Sequence, residues 1–221
     1  LAGAGALAVP ASASATWFGS TMRGPVNATY GCEAATTLGA LGGVVLSPTN
    51  QTSCTYQHLG YLGSNRPGSV VPSSGRIVRI RVRSGASPAR LRLTILTGSS
   101  RIDTLTGQDI PGTYTCCTAR YVGRAFRPKA NAVTVRRVNV PVFVTRSTQL
   151  QIRTKASDIV AVSAFGPGTL PLRIDPGVGT IFQGAPQARG FWSATAKGDP
   201  RVDGYGMTGI DVLFGWDFRR R

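Results

Sequence analysis

The chain has one histidine, one glutamate and two methionines in 221 residues, and only three of its 25 basic residues are lysine. Scarce Glu and Lys, with 28 Gly and 14 Pro, exclude a helical bundle or coiled coil. His58 is the one imidazole, so a His-rich metal centre is excluded. Nine acidic residues leave little material for carboxylate chemistry. No window is apolar for long enough to span a bilayer, so no transmembrane segment is expected in the mature chain. Aromatics make up 8% of residues, too sparse for the stacking platforms of single-strand nucleic-acid binders, so nucleic acid is not the expected partner. What remains is 42% hydrophobic and 15% charged, enough to bury a core and too apolar for disorder.

Residues 1–15, LAGAGALAVPASASA, are uncharged, small and apolar, and end in Ala13-Ser14-Ala15. Small residues flanking a cut site suit signal peptidase, so the segment reads as a signal-peptide remnant. Cleavage is expected at Ala15/Thr16, with Ala13/Ser14 as the alternative. The mature protein is then exported, to the medium or the cell wall, where an even cysteine count favours disulfides. Cys32, Cys54, Cys116 and Cys117 allow three pairings. Cys32 and Cys54 lie in strand-flanking sequence suited to stapling the N-terminal region; a bond between the adjacent Cys116 and Cys117 closes a strained eight-membered ring, so bridges from that pair to Cys32 and Cys54 are the alternative.

Short alternations recur along the chain, separated by Gly, Pro, Ser or Asn. Val78, Ile80 and Val82 share one strand face, with Arg79, Arg81 and Arg83 on the other. Leu91, Leu93 and Ile95 then alternate with Arg90, Arg92 and Thr94, and Ser84–Pro88 reads as a hairpin loop between the two strands. Further strands are expected near 114–122, 132–138, 148–154, 158–165 and 209–216, with Asn131 in the turn before the second of these. The fold class is all-β: an antiparallel β-sandwich of jelly-roll type over 16–172, with a loop-rich C-terminal segment, 173–221. The strand Ile210–Phe214 is expected to return to the sandwich edge.

Six stretches carry a resemblance: Gly75-Arg76-Ile77-Val78-Arg79-Ile80-Arg81-Val82-Arg83, Arg90-Leu91-Arg92-Leu93-Thr94-Ile95-Leu96, Cys116-Cys117-Thr118, Phe126 to Thr134, Val138-Asn139-Val140-Pro141-Val142, and Asp158 to Ser163. In this order they resemble a β-sandwich module of uncharacterised secreted and cell-surface proteins of soil actinobacteria, over residues 68–172. The resemblance implies extracellular display. It brings no established activity, so no functional residue is carried over. The architecture hosts lectins, adhesins and capsid subunits alike.

Catalytic constellations are poorly supplied. His58 is the one candidate base, and no G-x-S-x-G elbow accompanies it. Glu33 stands alone, and Asp199 and Asp203 lie in a turn-like stretch without the ligand density of a calcium loop. An enzyme, a metal site and a cofactor are therefore not expected. The dominant signal is a formal net charge of +16. Arg79, Arg81, Arg83, Arg90 and Arg92 form a cationic patch if their two strands pair, with Arg120, Arg124, Arg127, Arg136 and Arg137 extending it. Guanidinium forks suit phosphate or carboxylate. Outward arginine also keeps a sheet soluble and blunts its edges. Trp192, beside Gly190 and Ser193, is a candidate sugar-stacking platform, though Trp more often packs a core. The expected function is a non-enzymatic binding module for cell-wall or extracellular polysaccharide or an anionic envelope polymer. The alternative is a structural or adhesive cell-surface subunit assembling through sheet edges. Oligomeric state is left open.

Overall fold

The computed structural model describes residues 16–27, 34–38, 43–47, 53–61, 68–106, 108, 110, 115–149, 152–174, 186–191, 197–198 and 206–220. Among them there is no helix. The strands are β1 (Thr16–Gly19), β2 (Ala34–Leu38), β3 (Gly43–Ser47), β4 (Ser53–Tyr61), β5 (Gly75–Arg83), β6 (Arg90–Ile102), β7 (Thr115–Val122) and β8 (Val133–Val142). They continue with β9 (Val144–Gln149), β10 (Ile152–Phe165), β11 (Leu172–Ile174), β12 (Pro186–Phe191), β13 (Gly206–Thr208), β14 (Ile210–Val212) and β15 (Phe214–Arg220). The signal-peptide segment, Cys32 and Trp192 lie outside the described residues.

Two antiparallel sheets form a β-sandwich. One has the order β1-β15-β5-β8; the other has β13-β12-β4-β10-β6-β7, with β9 also on β10. Two small pairs, β11-β14 and β2-β3, complete the described strands. The inner faces interdigitate as the strand period requires. Ile77, Ile80, Val82, Val140, Phe214, Trp216 and Phe218 from the four-stranded sheet meet Tyr56, Leu91, Leu93, Ile95, Val160 and Val162 from the other. Phe18 stacks on Trp216 with centroids 4.5 Å apart, and Phe218 meets both rings edge-on.

The structure departs from the sequence reading at several points. β5 and β6 do not pair: β5 lies between β15 and β8, and β6 between β10 and β7, in different sheets. Ser84–Pro88 is thus an arch across the sandwich and not a hairpin loop, since both strands bury an alternate apolar set and each needs a sheet above it. Val78 is only half-buried, and the inward set is Ile77, Ile80 and Val82. Against β15, pairing skips from Ile77 to Arg79 opposite the adjacent Phe218 and Asp217, so Val78 is the extra residue of a bulge; against β8, Val138 and Asn139 together face Val78. The strand expected at 148–154 straddles the end of β9 and the start of β10. The strand expected at Ile210–Phe214 is divided: Ile210–Val212 is β14, paired with β11 in a separate two-stranded sheet, and Phe214 opens β15, which lies between β1 and β5 inside its sheet and not at the edge. Asn131 does occupy the turn before β8, with φ of 49°, a left-handed conformation that Asn tolerates.

Candidate functional site

β5 places its arginines by simple alternation. Once Ile77, Ile80 and Val82 turn inward, Arg76, Arg79, Arg81 and Arg83 stand on the outer face of the four-stranded sheet. Register adds neighbours: Arg79 lies opposite Asp217 of β15 and Arg137 of β8, and Arg76 opposite Arg219. The outer face therefore carries Arg76, Arg79, Arg81, Arg83, Arg137 and Arg219 around one carboxylate, Asp217.

That carboxylate is enclosed, with its side chain 1% exposed, and it accepts from Arg79 Nε and, at 3.3 Å, from Arg81 Nη2. Arg81 also lies 3.9 Å over the ring of Trp17, a cation–π contact. Trp17 in turn lies flat on Gly215: a Cβ there would come within 2.1 Å of the indole. Arg83 Nη1 donates to the Met22 carbonyl at 3.0 Å, and Arg76 Nε donates to Asn139 Oδ1. Arg137 and Arg219 are exposed, and neither guanidinium donates to an acceptor among the described residues.

The bulge at Val78 has a consequence for shape. Beside it lies a depression of about 410 Å³ lined by Val78, Arg79, Arg137, Val138, Asn139 and Arg219. A second depression of about 440 Å³ is lined by Trp17, Gly19, Ser20, Thr21, Arg23 and Arg81 among others. Both adjoin guanidinium groups.

The five arginines expected to form one patch are divided. Arg79, Arg81 and Arg83 share the face just described. Arg90 and Arg92 lie on the other sheet, because β5 and β6 are not neighbours. Arg92 rests 3.7 Å over Phe165; burial, and then the charge of Arg90, lower its pKa from the ordinary value. Of the residues expected to extend the patch, only Arg137 reaches this face from its strand position. Arg136 stacks 4.6 Å from Phe126. Arg120, the extra residue where pairing of β7 with β6 shifts, turns to Asp158. The sequence reading does not assign Arg76, Arg219, Asp217 or Trp17 to this patch. Their signal was the outward alternation of β5 and β15, which needs the non-local pairing to be read.

The other carboxylates among the described residues do not offset this charge. Asp158 and Asp211 are buried with Asp217, and Asp103 lies in a turn. Asp158 accepts from Thr97 Oγ1 at 2.8 Å, from Arg120 Nη2 at 2.6 Å and from the Phe143 amide at 2.7 Å. It thereby fixes the corner where the chain passes from β8 into β9 of the facing sheet. Asp211 accepts from Ser20 Oγ at 3.0 Å and stands 3.2 Å from His58 Nε2, without hydrogen-bond alignment. Both side chains are almost wholly buried, at 3% and 1% exposure. The Ser20 hydroxyl is thus committed to the carboxylate, whereas a nucleophile must give its proton to the imidazole.

The cysteines go against the alternative of long-range bridges. Cys116 and Cys117 are bonded to each other. They pack with Leu96, Ala119, Ile159 and Ala161 on the outward side of the larger sheet. Cys54 is disulfide-bonded and buried between the sheets. The sheet itself separates the two sites, so a bridge from the adjacent pair to Cys54 has no path.

No family model, curated protein or solved structure matches the chain.

Proposed function

We propose that the protein is an exported or wall-associated, non-enzymatic module that binds an anionic envelope polymer on the outer face of its four-stranded sheet. One observation carries this reading: six arginines share that face, and its only carboxylate among the described residues is buried beneath two of them. A surface of one sign attracts a polyanion over a Debye length of ~8–10 Å, and guanidinium forks hold its oxyanions. Burial of the single imidazole against Asp211 supports a non-enzymatic role. An anionic polymer is favoured over a neutral glycan because Trp17, the aromatic that the described residues place on this face, already carries Arg81.

The test is retention on isolated cell walls and on a soluble anionic polymer at two salt concentrations. Neutralising Arg76, Arg137 and Arg219 together to Gln should weaken retention at least tenfold and flatten its salt dependence, by roughly 0.7 in log–log slope for each arginine neutralised. Arg90→Gln should change neither. Equal retention by the triple variant contradicts the reading.

A second reading, a structural subunit assembling through sheet edges, is favoured by β8. It is the outermost strand of its sheet and exposes Val133 and Val135 at 42% and 54%. Such an edge is a template for pairing. Jelly-roll connectivity, a common plan for subunits of this kind, is supported by the order β1-β15-β5-β8 facing β4-β10-β6-β7. Concentration-dependent assembly in a size measurement is expected on this reading, and a strict monomer at high concentration contradicts it.

A further inference from the structure

We propose that the depression between β5 and β8 is a site for a phosphate-type oxyanion, which would make the bound polymer a phosphodiester or one bearing phosphomonoesters. This rests on the reading of the face as an anion-binding surface and names the chemical class it takes. Three arginines, Arg79, Arg137 and Arg219, line the depression from three different strands. Arg79 reaches Asp217 through Nε, so its terminal nitrogens are not used in that contact. Arg137 and Arg219 have no acceptor among the described residues.

Donors on three strands around a concavity suit a tetrahedral oxyanion, which accepts on several sides. A planar carboxylate is satisfied by one fork. Asn139 and the apolar Val78 and Val138 complete the lining, and no carboxylate is among its residues to repel the anion. The site exists because the bulge sets Val78 aside and because Arg137 and Arg79 share a register position. Charge favours a phosphomonoester further, at about −1.5 to −2 at neutral pH; a phosphodiester carries about −1, as a carboxylate does, and is preferred by shape alone.

The test follows the arginine Nε–Hε signals of the full chain as inorganic phosphate is added at fixed ionic strength, with acetate as comparator. Saturable shifts are expected with phosphate, at least tenfold weaker in Arg137→Gln/Arg219→Gln and unchanged in Arg90→Gln. Both substituted residues are exposed, and Arg219→Gln alone, expected to weaken binding severalfold, serves if the double variant melts early. Arg137→Lys keeps the charge but loses the fork and should fall between wild type and the double variant. A soluble polyol-phosphate chain that binds more tightly than inorganic phosphate at equal phosphorus points to polymer, and the reverse order to a free anion; either supports the oxyanion site. Acetate shifts equal to those of phosphate, or phosphate shifts untouched in the double variant, overturn it. Wall retention that persists while the phosphate response fails sinks this site alone. A phosphate response without retention on any polymer sinks the wider reading and leaves the site standing.

Discussion

Asp158 shows how a chain with few acids uses them. Its carboxylate holds Arg120, Thr97 and the Phe143 amide together at a corner between sheets. The carboxylate is buried while the Arg120 side chain is 31% exposed, so the pair itself is weak evidence of net stability, but removing Arg120 leaves a buried charge without its cation. Arg120→Ala should lower unfolding free energy by about 3 kcal/mol, read by denaturant unfolding with unchanged slope; a change under 1 kcal/mol would show that the amide and hydroxyl suffice. Asp103 makes the smaller case. Its carboxylate accepts from the Leu105 and Thr106 amides, and these hold its pKa below the ordinary value. A depressed folded value stabilises above the unfolded one and is lost as pH falls through the folded one. Asp103→Asn should therefore be less stable than wild type above about pH 3.9 and converge with it in stronger acid. A gap that widens on acidification would contradict the assignment.

At the scale of strands, the outward arginines and inward aliphatics of β5 were legible because period two is written in Ile80, Arg81, Val82 and Arg83 themselves. The bulge was not, because Ile77 and Val78 are equally apolar and only pairing with β8 and β15 decides which turns in. Nor was the partner of each strand. Leu91, Leu93 and Ile95 ask for a covered face but do not say which sheet covers it, and so Arg90 and Arg92 were grouped with arginines of the opposite sheet. The adjacent cysteines misled for a related reason: ring strain is local and readable, whereas the sheet lying between them and Cys54 is not. Gly215 tests the strand-level account. Trp17 covers its Cα side so closely that any Cβ collides with the indole and with the Phe18 carbonyl at 2.7 Å. Gly215→Ala should cost about 1–3 kcal/mol by overpacking, shift Trp17 fluorescence and loosen Arg81 from its ring. An unperturbed melt and spectrum would mean that β1 does not lie on β15 as described.

For the whole molecule, charge was legible as a total and not as a map. The +16 excess stands in the composition. That Asp158 and Asp211 are buried and Asp217 is covered by Arg79 and Arg81, leaving one sheet face to the arginines, depends on contacts between residues such as 79 and 217, far apart in the chain. The central claim is that this face, and not the basic surface in general, meets the polymer. Arginine-selective chemical labelling with and without a soluble phosphodiester polymer, mapped residue by residue, tests it most directly. Protection of Arg76, Arg79, Arg137 and Arg219 is expected, with Arg90 on β6, Arg146 on β9 and Arg153 on β10, all of the other sheet, still labelled. Uniform protection, or protection centred on Arg90, would contradict it.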